Sequence, residues 1–143
     1  MSRLPIAEVQ QFQSRAQCFY RVSIKALIRD SEGRYLLIQE SNGKWELPGG
    51  GLDYGESPQE GLKREVKEEM GVNISTMAHE PSVVLTLLND YGVHMINICY
   101  KAQLDSLSFI STDECVAVGF FSLGEMKSLP AFKNVYALAD ALG

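Results

Sequence analysis

The sequence predicts an α+β domain, and three observations support this. Short segments of alternating apolar and polar residues recur along the chain, as half-buried strands require. Helix-start signatures open three-residue to four-residue apolar spacing at two places. No repeat, linker or low-complexity stretch divides the chain, so strands and helices must share one core. At 143 residues the chain has the length of one domain, read as spanning 1–143. Its hydrophobic fraction of 45% and charged fraction of 22% are ordinary for a globular protein.

Residues 1–17 are polar and carry only a weak signal for a lead-in helix or strand. Over residues 19–28, Tyr20, Val22, Ile24, Ala26 and Ile28 mark a strand. Asp30-Ser31-Glu32-Gly33 is a turn, and residues 35–39 read as the return strand of a hairpin. A loop through Ser41-Asn42-Gly43 leads to Trp45-Glu46-Leu47-Pro48 and then Gly49, Gly50 and Gly51. Ser57, Pro58 and Glu60 form an N-cap, a first helical position and a capping box, and Gly71 supplies the stop. Strands over residues 83–88 and 94–103 flank the turn Asn89-Asp90-Tyr91-Gly92, and another covers 116–121. Ser122 to Glu125 repeats the capping box, and a last helix runs over residues 132–142.

Composition narrows the function. A net charge of −5 argues against a general nucleic-acid binder, which would present a basic surface. A small anionic substrate remains compatible, because a bound divalent cation reverses the field of an acidic site. Cys18, Cys99 and Cys115 have no metal-ligand spacing and read as reduced core thiols of a cytoplasmic protein. No apolar run reaches the roughly 18 residues of a membrane span, and no signal peptide is expected at the N-terminus.

The chemistry is expected where the glycine-rich loop meets an acidic helix. At about 100° per residue, Glu65, Glu68 and Glu69 share one helix face, beside an apolar stripe of Leu62, Val66 and Met70. Neighbouring carboxylates repel one another on a helix. Hard oxygen ligands so grouped suit a divalent cation, and Mg²⁺ is held by a few carboxylates with waters and phosphates. Gly61, one turn before Glu65, is expected to leave room for a ligand. Taken alone, Arg64-Glu65-Val66-Lys67-Glu68-Glu69 would be an ordinary solvated face.

Its surroundings change that reading. Gly50, Glu56, Arg64, Glu65, Val66, Glu68, Glu69, Gly71 and Val72 fill every specified position of G-x5-E-x7-R-E-U-x-E-E-x-G-U, with U bulky and apolar. Chance odds at one start position are on the order of one in 10⁹ from average residue usage. The sequence therefore resembles the Nudix hydrolase (MutT-like) family, whose fold is an α/β/α sandwich with a mixed β-sheet. Trp45-Glu46-Leu47-Pro48-Gly49-Gly50-Gly51 resembles the family's lead-in to this box.

The resemblance implies hydrolysis of a nucleoside diphosphate linked to another moiety, with Mg²⁺ as cofactor and Mn²⁺ as substitute. It makes Glu65, Glu68 and Glu69 both the metal ligands and the catalytic carboxylates. The Gly49 carbonyl and Glu56 join them as metal ligands. Arg64 is expected to point away from that face, in a structural ion pair with a box carboxylate. Phe120-Phe121-Ser122-Leu123-Gly124-Glu125-Met126 resembles a late family segment, but Ala117 stands where many members carry an acid. Asp113 and Glu114 are the substitutes offered for that acid. Trp45, Tyr91, His94 and Glu114 are substrate-contact candidates, each weighed against an ordinary packed or solvated role. Phe132 and Tyr136 read as helical core.

The substrate stays open at this stage between a nucleoside triphosphate and a nucleotide sugar. Leu88 occupies the position where ADP-ribose enzymes of the family carry proline, and Tyr91 lies slightly late for the dinucleoside-polyphosphate tyrosine. The expected partner is a nucleotide-type small molecule, with a homodimer compatible and neither a nucleic-acid polymer nor a membrane expected. The alternative is a regulatory module that binds nucleotides without cutting them. Such modules lose box carboxylates, and this chain keeps them.

Overall fold

The computed structural model describes residues 18–143, so the reading of residues 1–17 lies outside it. Strands β1 (Arg21–Leu27), β2 (Tyr35–Gln39), β3 (Trp45–Glu46) and β4 (Gly49–Gly51) precede helix α1 (Pro58–Met70). Then come β5 (Ile74–Met77), β6 (Val83–Leu88), β7 (His94–Leu104) and β8 (Ala117–Phe121), followed by α2 (Leu123–Met126) and α3 (Lys133–Leu142).

The first sheet runs β4-β1-β7-β5, with β6 also paired to β7; the second runs β3-β2-β8. β1 lies parallel to β7 and antiparallel to β4, so the first sheet is mixed. Residues 19–39 do not form the full hairpin that the alternation predicts, since Arg29 and Tyr35 alone bridge beside the turn. Only the turn is closed, by Leu36 N–H donating to the Ile28 carbonyl, before β1 and β2 part into different sheets. Both strands bury apolar side chains on both faces, and separate sheets give each of them two covered faces.

Helix α1 packs its Leu62–Val66–Met70 stripe into a cluster with Ile24, Ala26 and Tyr100. Each fully buried side chain of that stripe contributes about 1.5–3 kcal/mol. The opposite sheet face carries Leu85 and Cys99 and meets Val135, Leu138 and Ala139 of α3. Helices on both faces of a mixed sheet make the α/β/α sandwich. The strands β3, β4 and β5 were not expected; they are short, and two of them pass through the glycine-rich segment that reads as loop. Cys99 and Cys115 are buried, whereas Cys18 is exposed and is no core thiol.

Ser57 caps α1 as its sequence signature predicts. Its hydroxyl accepts from Glu60 N–H, the Glu60 carboxylate accepts from Ser57 N–H, and Gly71 ends the helix in the left-handed region. Replacing Ser57 by Ala removes one of these bonds, and a loss of about 1 kcal/mol is expected. Thermal melts should show a small downward shift; an unchanged melting temperature would mean that the cap does not hold the helix start.

Candidate active site

Gly49 is the point where strand, loop and helix meet. Its φ is +122°, and a Cβ there would lie 2.1 Å from the Ile24 carbonyl oxygen. Only glycine lets β4 lie this close to β1. Gly50 is constrained differently: its Cβ would lie 2.5 Å from Glu65 Oε2. The bare backbone of β4 thus lets the acidic helix approach the sheet. Gly61 was expected to leave room for a ligand, but Leu52 Cδ1 would lie 2.7 Å from its Cβ. That space holds protein, and Gly61 is a packing glycine.

The box carboxylates share a helix but not an environment. Glu69 is 5% exposed and accepts a 2.8 Å hydrogen bond from Gly49 N–H. Burial pushes its carboxyl up to about 8, against the opposing pull of Lys25 and the Gly49 N–H. Glu65 is partly buried, and desolvation raises its carboxyl as well. Glu68 lies exposed at the outer edge. Glu56 accepts the Arg64 Nε at 2.7 Å and Asp53 N–H at 2.9 Å, and the Arg64 bond holds its carboxyl down at about 2.

Arg64 does not point away from this face. Its guanidinium spans Glu56, Glu65 at 3.0 Å and Glu68 at 3.3 Å, and donates to the Gly51 carbonyl. The predicted ion pair is therefore a network, because one planar cation can bridge several carboxylates that would otherwise repel.

Lys25 went unnoticed in the sequence. It lies on β1, 6% exposed, and its Nζ donates to the Gly49 carbonyl at 3.1 Å. The same Nζ stands 3.7 Å from Glu46 Oε1. The Gly49 oxygen proposed as a metal ligand thus already accepts from a lysine. Beyond Lys25 opens a recess of about 220 Å³, lined among others by Ser23, Glu40, Glu46, Asn97 and Phe132. Burial raises the Glu40 carboxyl, helped by repulsion from Glu46.

Tyr91 stands on the rim of this recess, 77% exposed. Phe132, expected as helical core, contributes to its wall. Trp45 does not line it; its ring packs edge-on against Phe121, 4.8 Å between centroids, within the α3 core. His94 is exposed and rests against Tyr20, away from the recess. Asp113 and Glu114 are exposed on the loop before β8, and the Glu114 charge acts on both Glu65 and Glu40. Ser23, Lys25, Glu46, Asn97 and Asn134 line the recess too, and the sequence analysis did not single them out. Ser23, Lys25 and Asn97 alternate with apolar neighbours on their strands, a pattern that a solvated sheet face shares.

Among the described residues no three acidic side chains converge into a ready cation cage. The donor set nonetheless fits Mg²⁺ or Mn²⁺, which keep waters and substrate oxygens and need only one or two carboxylates. A buried Glu69 and a half-buried Glu65 are hard oxygen donors whose ionised forms burial disfavours and a divalent cation would stabilise.

This fold and this acidic helix define the class. Residues 19–140 match the NUDIX domain family, and the chain belongs to it. A MutT-like protein of Streptomyces ambofaciens is 43% identical over 56 residues, 38% of this chain and 36% of that one. An RNA pyrophosphohydrolase of Ruthia magnifica is 33% identical over 78 residues, 52% of this chain and 44% of that one. The chain thus spans less than half the length of these relatives. The crystal structure of a MutT protein from Methanosarcina mazei superimposes with a TM-score of 0.68 at 27% identity, over 85% of this chain and 88% of that one. No helix among the described residues is long and apolar enough to cross a membrane.

Gly49→Ala tests the geometry of the junction. The new methyl meets backbone that cannot swing aside, in a conformation that L-residues rarely adopt, and a loss of roughly 2 kcal/mol or more is expected. Urea denaturation of the variant checks this; wild-type stability would show that β4 does not lie so close to β1.

Proposed function

We propose that this chain hydrolyses the pyrophosphate linkage of a nucleoside diphosphate derivative, such as a nucleoside triphosphate or nucleotide sugar, with the help of a divalent cation. The carrying observation is the acidic α1 face of Glu65, Glu68 and Glu69, tied to Glu56 of the preceding loop by Arg64, set against β4 and joined to the recess through Lys25. Membership of the NUDIX family and the pyrophosphohydrolase among its relatives support this reading. The net charge of −5 favours a small nucleotide over an RNA chain.

Glu65, Glu68 and Glu69 would hold the cation, with Glu56 adding an acidic second layer through Arg64. When bound, the cation neutralises phosphate oxygens and acidifies water. The chain's own residues do the rest. Arg64 holds Glu65 Oε1 at 3.0 Å, leaving Oε2 over Gly50 to take the proton of the attacking water. Burial raises the Glu65 carboxyl above its ordinary value, against the pull of Arg64. Lys25 keeps the Gly49 peptide fixed, so Glu69 and the loop hold their places.

Calorimetric titration with Mn²⁺ should show clear binding to the wild type and affinity reduced about tenfold or more in Glu69→Gln. Equal affinity in both proteins would remove Glu69 from the ligand set.

Turnover comes from phosphate release in a screen of nucleotides with Mg²⁺. Glu65→Gln should lower kcat by at least about 10² with little change in KM, the pattern of an interaction made in the transition state. Asp113→Asn and Glu114→Gln should stay close to wild type. A large loss in either, with Glu65→Gln mildly affected, would move the base to the loop before β8. Nucleotide binding without cleavage would leave the regulatory module standing instead.

A further inference from the structure

Arg21 is a cation beside the acidic face that the site described above leaves unused. It begins β1, is exposed, and donates from Nη1 to the Leu52 carbonyl at 2.8 Å. Among the described residues its other donors meet no acceptor, and it pairs with no carboxylate. Asp53 and Glu56 share a groove of about 510 Å³ with it, but both are tied to Arg64, at 3.4 and 2.7 Å. The guanidinium lies against Gly51 instead, where a Cβ would overlap its Nη2. Successive residues of a strand face opposite ways. Gly50 accordingly turns toward Glu65, whose Oε2 lies 2.5 Å from the place of its Cβ, and Gly51 turns toward Arg21. β4 stands at the end of its sheet, and the Gly51 carbonyl accepts from Arg64 Nη2 at 3.0 Å. One edge strand therefore separates the acidic face from an anchored guanidinium.

We infer that Arg21 binds the phosphate beyond the one held at the acidic face, and so selects a substrate that carries a phosphate there. The inference rests on the pyrophosphate hydrolysis proposed above. An arginine fork matches phosphate oxygens bidentately, and a fork already fixed loses less freedom when it binds. With Nη1 tied to Leu52, Nη2 and Nε remain to donate. Arg64 cannot take this part, because Glu56, Glu65, Glu68 and the Gly51 carbonyl occupy its donors. A nucleoside triphosphate places a further phosphate at this point. A nucleotide sugar places an uncharged ring there and leaves the guanidinium without an anion. The same contact explains Gly51, since any side chain there would push the guanidinium off β4.

Calorimetry in Mg²⁺ reads the contact without turnover, using imido-bridged ATP, GTP, CTP and UTP beside AMP, GMP, CMP and UMP. For the base that binds tightest, Arg21→Gln should weaken the triphosphate about tenfold and the monophosphate less than about twofold. Arg21→Lys should fall between, because an ammonium keeps the charge and loses the fork. Gly51→Ala keeps the arginine but displaces its guanidinium, at a residue whose φ suits any side chain, and should weaken the triphosphate likewise. If Arg21→Gln melts early, Arg21→Lys and Gly51→Ala decide. Equal loss of both ligands would show a structural tie only, and wild-type affinity in Arg21→Gln would show no contact; either overturns the inference. So would a wild type that binds no triphosphate more tightly than its monophosphate. With substrates that can be cut, Arg21→Gln should lower kcat/KM for the triphosphate about tenfold through KM, and leave a nucleotide hexose of the same base within about twofold. Hydrolysis without this split would sink the inference and spare the hydrolase reading. The split in binding without hydrolysis would do the reverse.

Discussion

The peptide units of Gly49 are gripped from both sides. Its N–H donates to buried Glu69, and its carbonyl accepts from buried Lys25. Charged side chains cross the interior here without forming a direct ion pair, each tied to a backbone group of one residue. Removing Glu69 would leave the Gly49 N–H without its buried acceptor, which costs more than the net worth of a hydrogen bond. Because Glu69 belongs to α1 and Lys25 to β1, this linkage sets how the helix sits on the sheet. The recess on one side and the acidic face on the other both inherit their positions from it.

Arg64 completes the arrangement at the outer end. The carboxylates of Glu56, Glu65 and Glu68 would repel one another, and a single guanidinium with several donors reconciles them. The acidic face can therefore be dense in charge and still ordered.

The two halves of the site obey different physics. On α1, charge is concentrated where one end of the substrate would lie. In the recess, Glu40, Glu46 and Lys25 face apolar wall from Leu87, Met95 and Phe132. Lys25 is shared, one side toward Gly49 and the other toward Glu46.

Helix α1 was legible in the sequence from Ser57 to Gly71 because caps, the apolar stripe and the carboxylate spacing are all local. The glycines before it read as loop, and their strand β4 against β1 was not legible, because the close approach is to a distant strand. The parting of β1 from β2 was not legible, because pairing depends on which strand arrives from afar, and β7 takes β1 while β8 takes β2. Ser23, Lys25 and Asn97 were missed for the same reason. Alternation placed them on one face of their strands, but whether that face meets water or a helix is decided by α3, which begins at Lys133, far beyond the end of β7 at Leu104. The sequence by itself determined the clustering of carboxylates on the acidic helix, because Glu65, Glu68 and Glu69 lie within one element. Only the tertiary structure decided that a polar strand face would be covered and so become a recess, because burial is a property of what packs against a residue and not of the residue alone.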